Sequence, residues 1–295
     1  MSTPPEYEID LDKLVYGGEA MGRLPDGRAV FVPFALPEET IRTRLVEEKR
    51  GFARGELLKV LQPSPARIAP RCKHFKACGG CHYQHIPYEM QAAAKGEILR
   101  DQLTRIGKID DPPVKTTVPS PTPWNYRNHI QFHLDSQGRL GFQASRSHEV
   151  VPIEECHLPE EVLNEVWPQL DIEPLSDLTR VGLRVGVEDE VMLVLESSTN
   201  EAFDFDVDIP MSAVQLGPED THILSDRFYM AMGVLGRSFR VSAASFFQVN
   251  TPVAAKMVEH LLEQLPLTPS TTLLDVYCGV GLFSAFTAPR VGRLI

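Results

Sequence analysis

The sequence predicts a multidomain chain: an N-terminal OB-like β-barrel, a mainly antiparallel α+β central domain, and the start of an α/β Rossmann-like domain. Three observations predict it. Short β-rich runs broken by Gly, Pro and Asp turns fill residues 9–61. Alternating apolar residues recur through the middle of the chain. Near Thr251 the period becomes helical, and a strand, a Gly loop and a helix start follow. The boundaries read as 1–62, 63–240 and 241–295.

In the first segment, Gly17-Gly18 and Pro25-Asp26-Gly27 are turn signals, and Ala29 to Phe34 is β-rich. Ile41 to Glu47 and Ala53 to Leu61 are two further strands, joined by a turn at Glu48 to Phe52. Residues 62–70 carry three prolines and read as a linker before a cysteine cluster. Pro87 to Ile106 then reads as one amphipathic helix, with Pro87 at its first position and Gly107 ending it. Tyr88, Gln91/Ala92, Lys95, Ile98/Leu99, Leu103 and Ile106 mark one side of it.

The middle alternates repeatedly. Ile130, Phe132 and Leu134 share one face, and a turn at Ser136 to Arg139 leads to Leu140 and Phe142. Val181, Leu183, Val185 and Val187 form a second such run, Val191 to Leu195 a third, and Phe203, Phe205 and Val207 a fourth. A short helix fits Glu160 to Leu170. At the end, Thr251 is the expected N-cap, Pro252 the first helical residue, and Val253, Met257, Val258, Leu261, Leu262 and Leu265 the stripe. Thr272 to Val276 reads as a strand, Tyr277 to Gly281 as a Gly loop, Leu282 to Ala288 as a helix start, and Val291 to Ile295 as a second strand beginning.

Composition limits function. The chain has 295 residues, 43% of them hydrophobic, and no apolar run of membrane-spanning length. Its first residues, Met1 to Asp12, are acidic and polar rather than basic and apolar, so a cytoplasmic location is expected. The net charge of −11 argues against a nucleic-acid partner, but its distribution argues for one. Residues 41–76 hold ten Lys/Arg and three Asp/Glu, a local +7. Residues 154–226 hold nineteen acidic residues and two Arg, a local −17. The basic part suits phosphates; both runs also fit ordinary solvated faces.

Five cysteines occur, an odd number that does not suit a disulfide framework. Cys72-x5-Cys78-x2-Cys81 puts three thiols on one loop, where Gly79 and Gly80 let the backbone fold close to sulfur. A fourth ligand would be Cys156 or Cys278. Four thiolates suit zinc or an iron–sulfur cluster, and the single close pair favours iron–sulfur. Asp275 to Gly281 after an apolar strand is a loop that lets backbone approach a nucleotide-like cofactor, though an ordinary strand–helix turn looks the same. Cys278 reads there as a loop residue beside the cofactor. Ser245 to Asn250 offers aromatics and an amide for a base, or simply core packing.

Together these stretches resemble the RNA uracil-5-methyltransferase family across almost the whole chain. Cys72 to Cys81 with Gln84-His85 and Gln91-x3-Lys95 looks like the family's [4Fe-4S] segment. Tyr126-Arg127-Asn128 and Arg146 to Cys156 look like its central sheet. Phe246 to Asn250 and Leu274 to Gly279 look like its S-adenosylmethionine motifs, and residues 9–61 look like a TRAM domain. The resemblance implies Cys72, Cys78, Cys81 and Cys156 as cluster ligands. It implies Gln248, Tyr277, Gly279 and Gly281 at the cofactor; some relatives use an Asn where this chain has Leu282. It implies RNA as partner, 23S rRNA in the bacterial members, with no membrane and no protein partner.

The family reaction adds a Cys thiolate to uracil C6, which makes C5 rich enough to accept the methyl group, and then removes the C5 proton with a carboxylate-assisted base. The base must be unstacked first. That Cys and Glu lie downstream of the Gly loop in the family and have no counterpart in this sequence. The chain is therefore expected to be a C-terminally truncated, inactive form. A non-catalytic Fe–S RNA-binding module and a ferredoxin-type electron carrier are the alternatives.

Overall fold

In the computed structural model, residues 5–295 are described except 174, 205, 207 and 208. They form two compact units: residues up to Pro119 with Ala144–Arg146, and Ser120–Gln143 with Ser147–Ile295.

The first unit opens with a closed five-stranded barrel. Its strands are β1 (Glu6–Leu14), β2 (Glu19–Arg23), β3 (Ala29–Pro33), β4 (Thr40–Glu48) and β5 (Phe52–Gln62), in the order β1-β2-β3-β5-β4. Alternation explains it: Ile9, Leu11, Ala20, Val30, Val32, Ile41, Leu45 and Ala53 point inward and are buried together. All pairings are antiparallel except β3 with β5. Below the barrel, Glu39 is buried and holds the following segment. Its carboxylate accepts from Leu36 N–H at 2.9 Å and Ser64 N–H at 3.3 Å. It also accepts from the Arg67 guanidinium at 2.5 and 2.8 Å. Burial alone would push this carboxyl up; Arg67 and the two amides more than offset it, so it titrates below the ordinary glutamate range.

Helix α1 (Tyr88–Arg105) follows the cysteine segment as predicted, and Tyr88, Gln91, Ala92, Ile98 and Leu103 of its marked side are half-buried. Ala94 is its one buried residue among those described, whereas Leu99 and Ile106 are exposed. Lys13 of β1 pairs with Asp101 at 2.6 Å, and Asp101 also takes Arg105.

The second unit is built on a seven-stranded sheet. Its strands are β6 (His129–Leu134), β7 (Leu140–Gln143), β8 (Val150–Pro152), β9 (Leu178–Val185), β10 (Val191–Ser197), β11 (Ser212–Leu216) and β12 (Thr221–Ser225). The order is β12-β11-β10-β9-β6-β7-β8, with a single parallel pair, β10–β11. Both faces are covered. Leu193 and Leu195 join a cluster with Phe132, Leu163 and Trp167, the last two from helix α2 (Glu161–Val166) and the turn after it. Met192 and Val194 face the opposite cluster, with the hairpin β13 (Tyr229–Val234) and β14 (Arg237–Ser242) and with Ala254 and Val258 of helix α3 (Thr251–Gln264). Burial on both faces is why residues 191–195 read as an unbroken apolar run.

The predicted strand at Phe203 to Val207 does not form at Phe203; Phe205 and Val207 lie outside the described residues. Gln215 explains the difference, because its side chain accepts from Phe203 N–H at 2.8 Å and donates to Glu201 carbonyl at 2.8 Å. The N-cap of α3 is Asn250, one residue earlier than predicted, since its Oδ1 accepts from Val253 N–H at 3.0 Å. The last elements are β15 (Thr272–Leu273), helix α4 (Leu282–Thr287) and β16 (Arg293–Leu294), with β15 and β16 parallel. β15 is shorter than the predicted strand because Leu274 to Val276 already turn into the Gly loop. Among the described residues no helix is long and apolar enough to cross a membrane.

Candidate functional site

Two loops of the second unit carry the predicted cofactor residues. The first is Ser242 to Asn250. Its two adjacent aromatics separate: Phe247 is buried against Phe239, with ring centres 6.2 Å apart, whereas Phe246 is 72% exposed. Gln248 follows, half-buried. The loop is held by its neighbours in the fold. Asn128 Nδ2 donates to the Gln248 carbonyl and to Thr251 Oγ1, both at 2.9 Å. Asn128 N–H donates to the Val249 carbonyl at 2.9 Å, and Asn250 Nδ2 donates to Ser120 Oγ at 3.0 Å. Asn128 is itself buried at the head of β6. Each of these polar groups is thus paired inside the protein, which fixes the backbone on both sides of the Gln248 side chain.

The second loop runs from Leu274 to Gly281. Gly279 and Gly281 take left-handed backbone, φ 56° and 78°, which residues with a Cβ resist. Tyr277 adopts φ 70° despite its side chain, and its ring is 98% exposed. A non-Gly residue held there with its aromatic ring in solvent is a feature of functional loops. Ser284 Oγ donates to the Asp275 carboxylate, and Gly281 N–H to the Cys278 carbonyl at 2.9 Å. Cys278 is exposed. The two loops rest on a common apolar cluster: Phe247 comes from the first, Val280 and Leu282 from the end of the second. The structure thus brings Gln248, Tyr277, Gly279 and Gly281 to loops that flank one packed core.

In the first unit, Cys72, Cys78 and Cys81 are half-buried on their predicted loop. Gln84 Oε1 accepts from Cys72 N–H at 3.0 Å, and Gly80 N–H donates to Cys78 Sγ at 3.4 Å. Burial pushes the Cys78 thiol up; the Gly80 amide opposes this, and the nearby Cys81 and Cys72 add to it. A Cys78 thiol raised in this way is helped to ionise by a bound cation. Among the described residues no three His, Cys, Asp or Glu side chains are gathered closely enough to hold a metal ion. Cys156 belongs to the second unit. Beside the cysteine loop, His85 is fully buried with neither ring nitrogen hydrogen-bonded, and its ring packs 5.4 Å from Phe75.

The predicted basic surface is largely neutralised by pairing. β1 lies antiparallel to β4 with Glu6 opposite Arg44 and Glu8 opposite Arg42, and each pair forms a salt bridge, at 2.8 and 2.6 Å. Lys49 pairs with Glu47, and Arg54 with Glu19 and Glu47. Counting charge from residue 41 onward missed these partners from β1 and β2. A concave patch of about 390 Å³ is lined by Lys13, Tyr16, Glu19, Arg23, Arg54 and Arg105, among others; Lys13 and Arg105 pair there with Asp101 and Arg54 with Glu19, and Arg23 forms no ion pair among the described residues. Tyr16 is 79% exposed, and Arg54 stacks on Phe31 at 6.0 Å. Cations beside exposed aromatic rings suit a single-stranded nucleic acid.

Comparison with known proteins bears on both units. The TRAM domain model matches residues 5–58, the barrel. An uncharacterized RNA methyltransferase of Aquifex aeolicus is 36% identical over 293 residues, covering 94% of this chain and 68% of its own length. The chain belongs to this RNA methyltransferase family. A further RNA methyltransferase, from Thermosynechococcus vestitus, is 30% identical over 98% of this chain and 71% of its own length. Among solved structures, the tRNA (uracil-54, C5)-methyltransferase of Pyrococcus abyssi, in complex with S-adenosyl-L-homocysteine, shares the fold. Its TM-score is 0.66 at 24% identity, over 96% of this chain and 70% of that one.

Sequence reading of this RNA methyltransferase missed two residues. Asn128 was visible only as part of a strand start, not as the anchor of the Gln248 loop 120 positions away. Arg184 was visible only as one of two arginines in an acidic stretch. Its signal was present: it stands between the apolar Leu183 and Val185 in a strand whose residues 181–185 are all buried.

Proposed function

We propose that this RNA methyltransferase binds S-adenosylmethionine at the Gln248 and Tyr277 loops and methylates uracil C5, with 23S rRNA as its RNA. The observation that carries the reading is that both loops rise from a single packed cluster while each presents an exposed aromatic ring, Phe246 or Tyr277. The solved relative acts on uracil C5 and holds S-adenosyl-L-homocysteine, which supports the reading. S-adenosylmethionine supplies the methyl group. Gln248 offers a donor and an acceptor to its polar edges, the Tyr277 ring gives a flat platform, and Gly279 and Gly281 allow close backbone approach. The barrel patch engages RNA through Arg23 and the Tyr16 ring.

The same reading assigns a [4Fe-4S] cluster to the thiols of Cys72, Cys78, Cys81 and Cys156, whose chemistry suits iron; as they stand, the described side chains are not gathered as a metal site. The division into a TRAM barrel at 1–62, a cluster-bearing centre at 63–240 and a methyltransferase part at 241–295 belongs to the same reading.

The test combines binding and turnover. S-adenosylhomocysteine should bind residues 1–295 in a calorimeter, and Gln248→Ala should weaken it. With S-adenosylmethionine, the protein should form 5-methyluridine on unmodified rRNA; no 5-methyluridine under those conditions would refute the proposed activity. Anaerobic reconstitution should load iron and sulfide, and Cys72→Ser should abolish loading.

A further inference from the structure

Arg184 stands in the middle of the second unit with an unusual set of partners. It is 5% exposed, on β9, opposite His129 of β6 and Met192 of β10. Its Nη1 donates to the Ser242 carbonyl at 3.1 Å and its Nη2 to the Ser245 carbonyl at 2.9 Å. Among the described residues no carboxylate pairs with it. The charged groups around it are of its own sign: Arg127 and Arg184 both disfavour protonation of His129, which burial also opposes. A buried guanidinium without a counter-ion is costly, and here only two carbonyl dipoles of one short turn offset the cost.

That turn opens the Gln248 loop. Ser245 N–H donates to the Ser242 carbonyl at 3.0 Å, and the two hydroxyls meet at 2.7 Å. Phe246, Phe247 and Gln248 follow directly. The loop is therefore gripped twice, by Arg184 at its start and by Asn128 at its end. A planar fork fixes the spacing of two acceptors at once, which an ammonium does not.

We infer that Arg184 is a positioning residue for cofactor binding: its bidentate grip on the Ser242 and Ser245 carbonyls holds the loop so that Gln248 is set before the cofactor arrives. The inference rests on the proposed cofactor site. If the loop lifts, Arg184 loses both acceptors in an apolar surrounding, so the open loop is disfavoured. Preset contacts raise affinity by lowering the ordering cost of binding.

The test is calorimetric titration of S-adenosylhomocysteine into wild type, Arg184→Lys and Arg184→Met, with melting temperatures and hydrogen exchange on the same samples. Arg184→Lys should fold, and bind about fivefold more weakly because it reaches one carbonyl. Arg184→Met should lose about thirtyfold or more, with exchange faster across Ser245 to Asn250 but unchanged at Val181 to Leu183. Should Arg184→Met fail to fold, Arg184→Lys decides alone. Wild type that binds alongside an Arg184→Lys that binds equally well would overturn the inference and leave the cofactor site standing. Wild type that does not bind would overturn the cofactor site, and the inference with it.

Discussion

The side-chain amide of Asn128 donates to the backbone carbonyl of Gln248 at 2.9 Å, joining residues 120 positions apart. The same nitrogen reaches Thr251 Oγ1, and the Asn128 backbone reaches Val249. Asn128→Leu keeps the approximate size but leaves buried acceptors without donors. The expected cost is about 2 kcal/mol of stability, with weaker S-adenosylhomocysteine binding, read from denaturant melts and calorimetry. An Asn128→Leu protein as stable and as tight-binding as wild type would remove this bond from the account of the site.

Glu39 and Arg67 form the other long-range polar contact of note. Removing the carboxylate by Glu39→Ala leaves Arg67 and two amides without their acceptor, at a cost of about 3 kcal/mol or more. The pH dependence has a definite sign. The folded carboxyl titrates below its unfolded value, so its contribution is complete above the ordinary glutamate range and is lost as pH falls through the depressed value. Acid melts of wild type and Glu39→Gln should converge at low pH.

His129 should act in a higher window. Burial first, then Arg184 and Arg127, bring its pKa from 6.5 to about 4. Between those values the unfolded chain takes a proton that the folded one refuses. Stability of the second unit should therefore fall as pH drops from 6.5 towards 4, by up to about 3 kcal/mol. His129→Gln should flatten the stability–pH curve in that range; an unchanged slope would assign the loss to other groups.

The barrel patch predicts a salt-linked RNA affinity. Arg23→Ala should weaken RNA binding and reduce the slope of log affinity against log salt by about 0.7, the value for one phosphate contact on a single strand. Arg42→Ala with Arg44→Ala should change it less, because those side chains are already engaged by Glu8 and Glu6. An equal effect from that pair would argue against the patch.

Local patterns were legible before the structure. Three of the five barrel strands were legible as β-rich runs at Ala29 to Phe34, Ile41 to Glu47 and Ala53 to Leu61, and α3 through its stripe; β1 and β2 were not placed individually. Partnership was not legible. Arg42 looked like a free cation because Glu8 lies in another strand. In the candidate site, Gln248 and Tyr277 were legible through resemblance. Asn128 and Arg184 were not, because side chain-to-backbone bonds between distant segments leave no period in a sequence. Phe246 and Phe247 show the same limit: both are phenylalanine, and only the turn gripped by Arg184 decides which one faces water.

Barrel closure has a consequence for how the protein is made. With β1 paired to both β2 and β4 and β3 paired to β5, no strand of the barrel is left with an open edge. Every strand precedes the cysteine loop in the chain and so leaves the ribosome before it. The barrel can thus finish before the cysteine loop emerges, and Glu39 then waits as a ready acceptor for Ser64 and Arg67 as they appear. The thiol-bearing segment would meet a finished wall during synthesis, rather than a second unfolded strand set competing for its backbone.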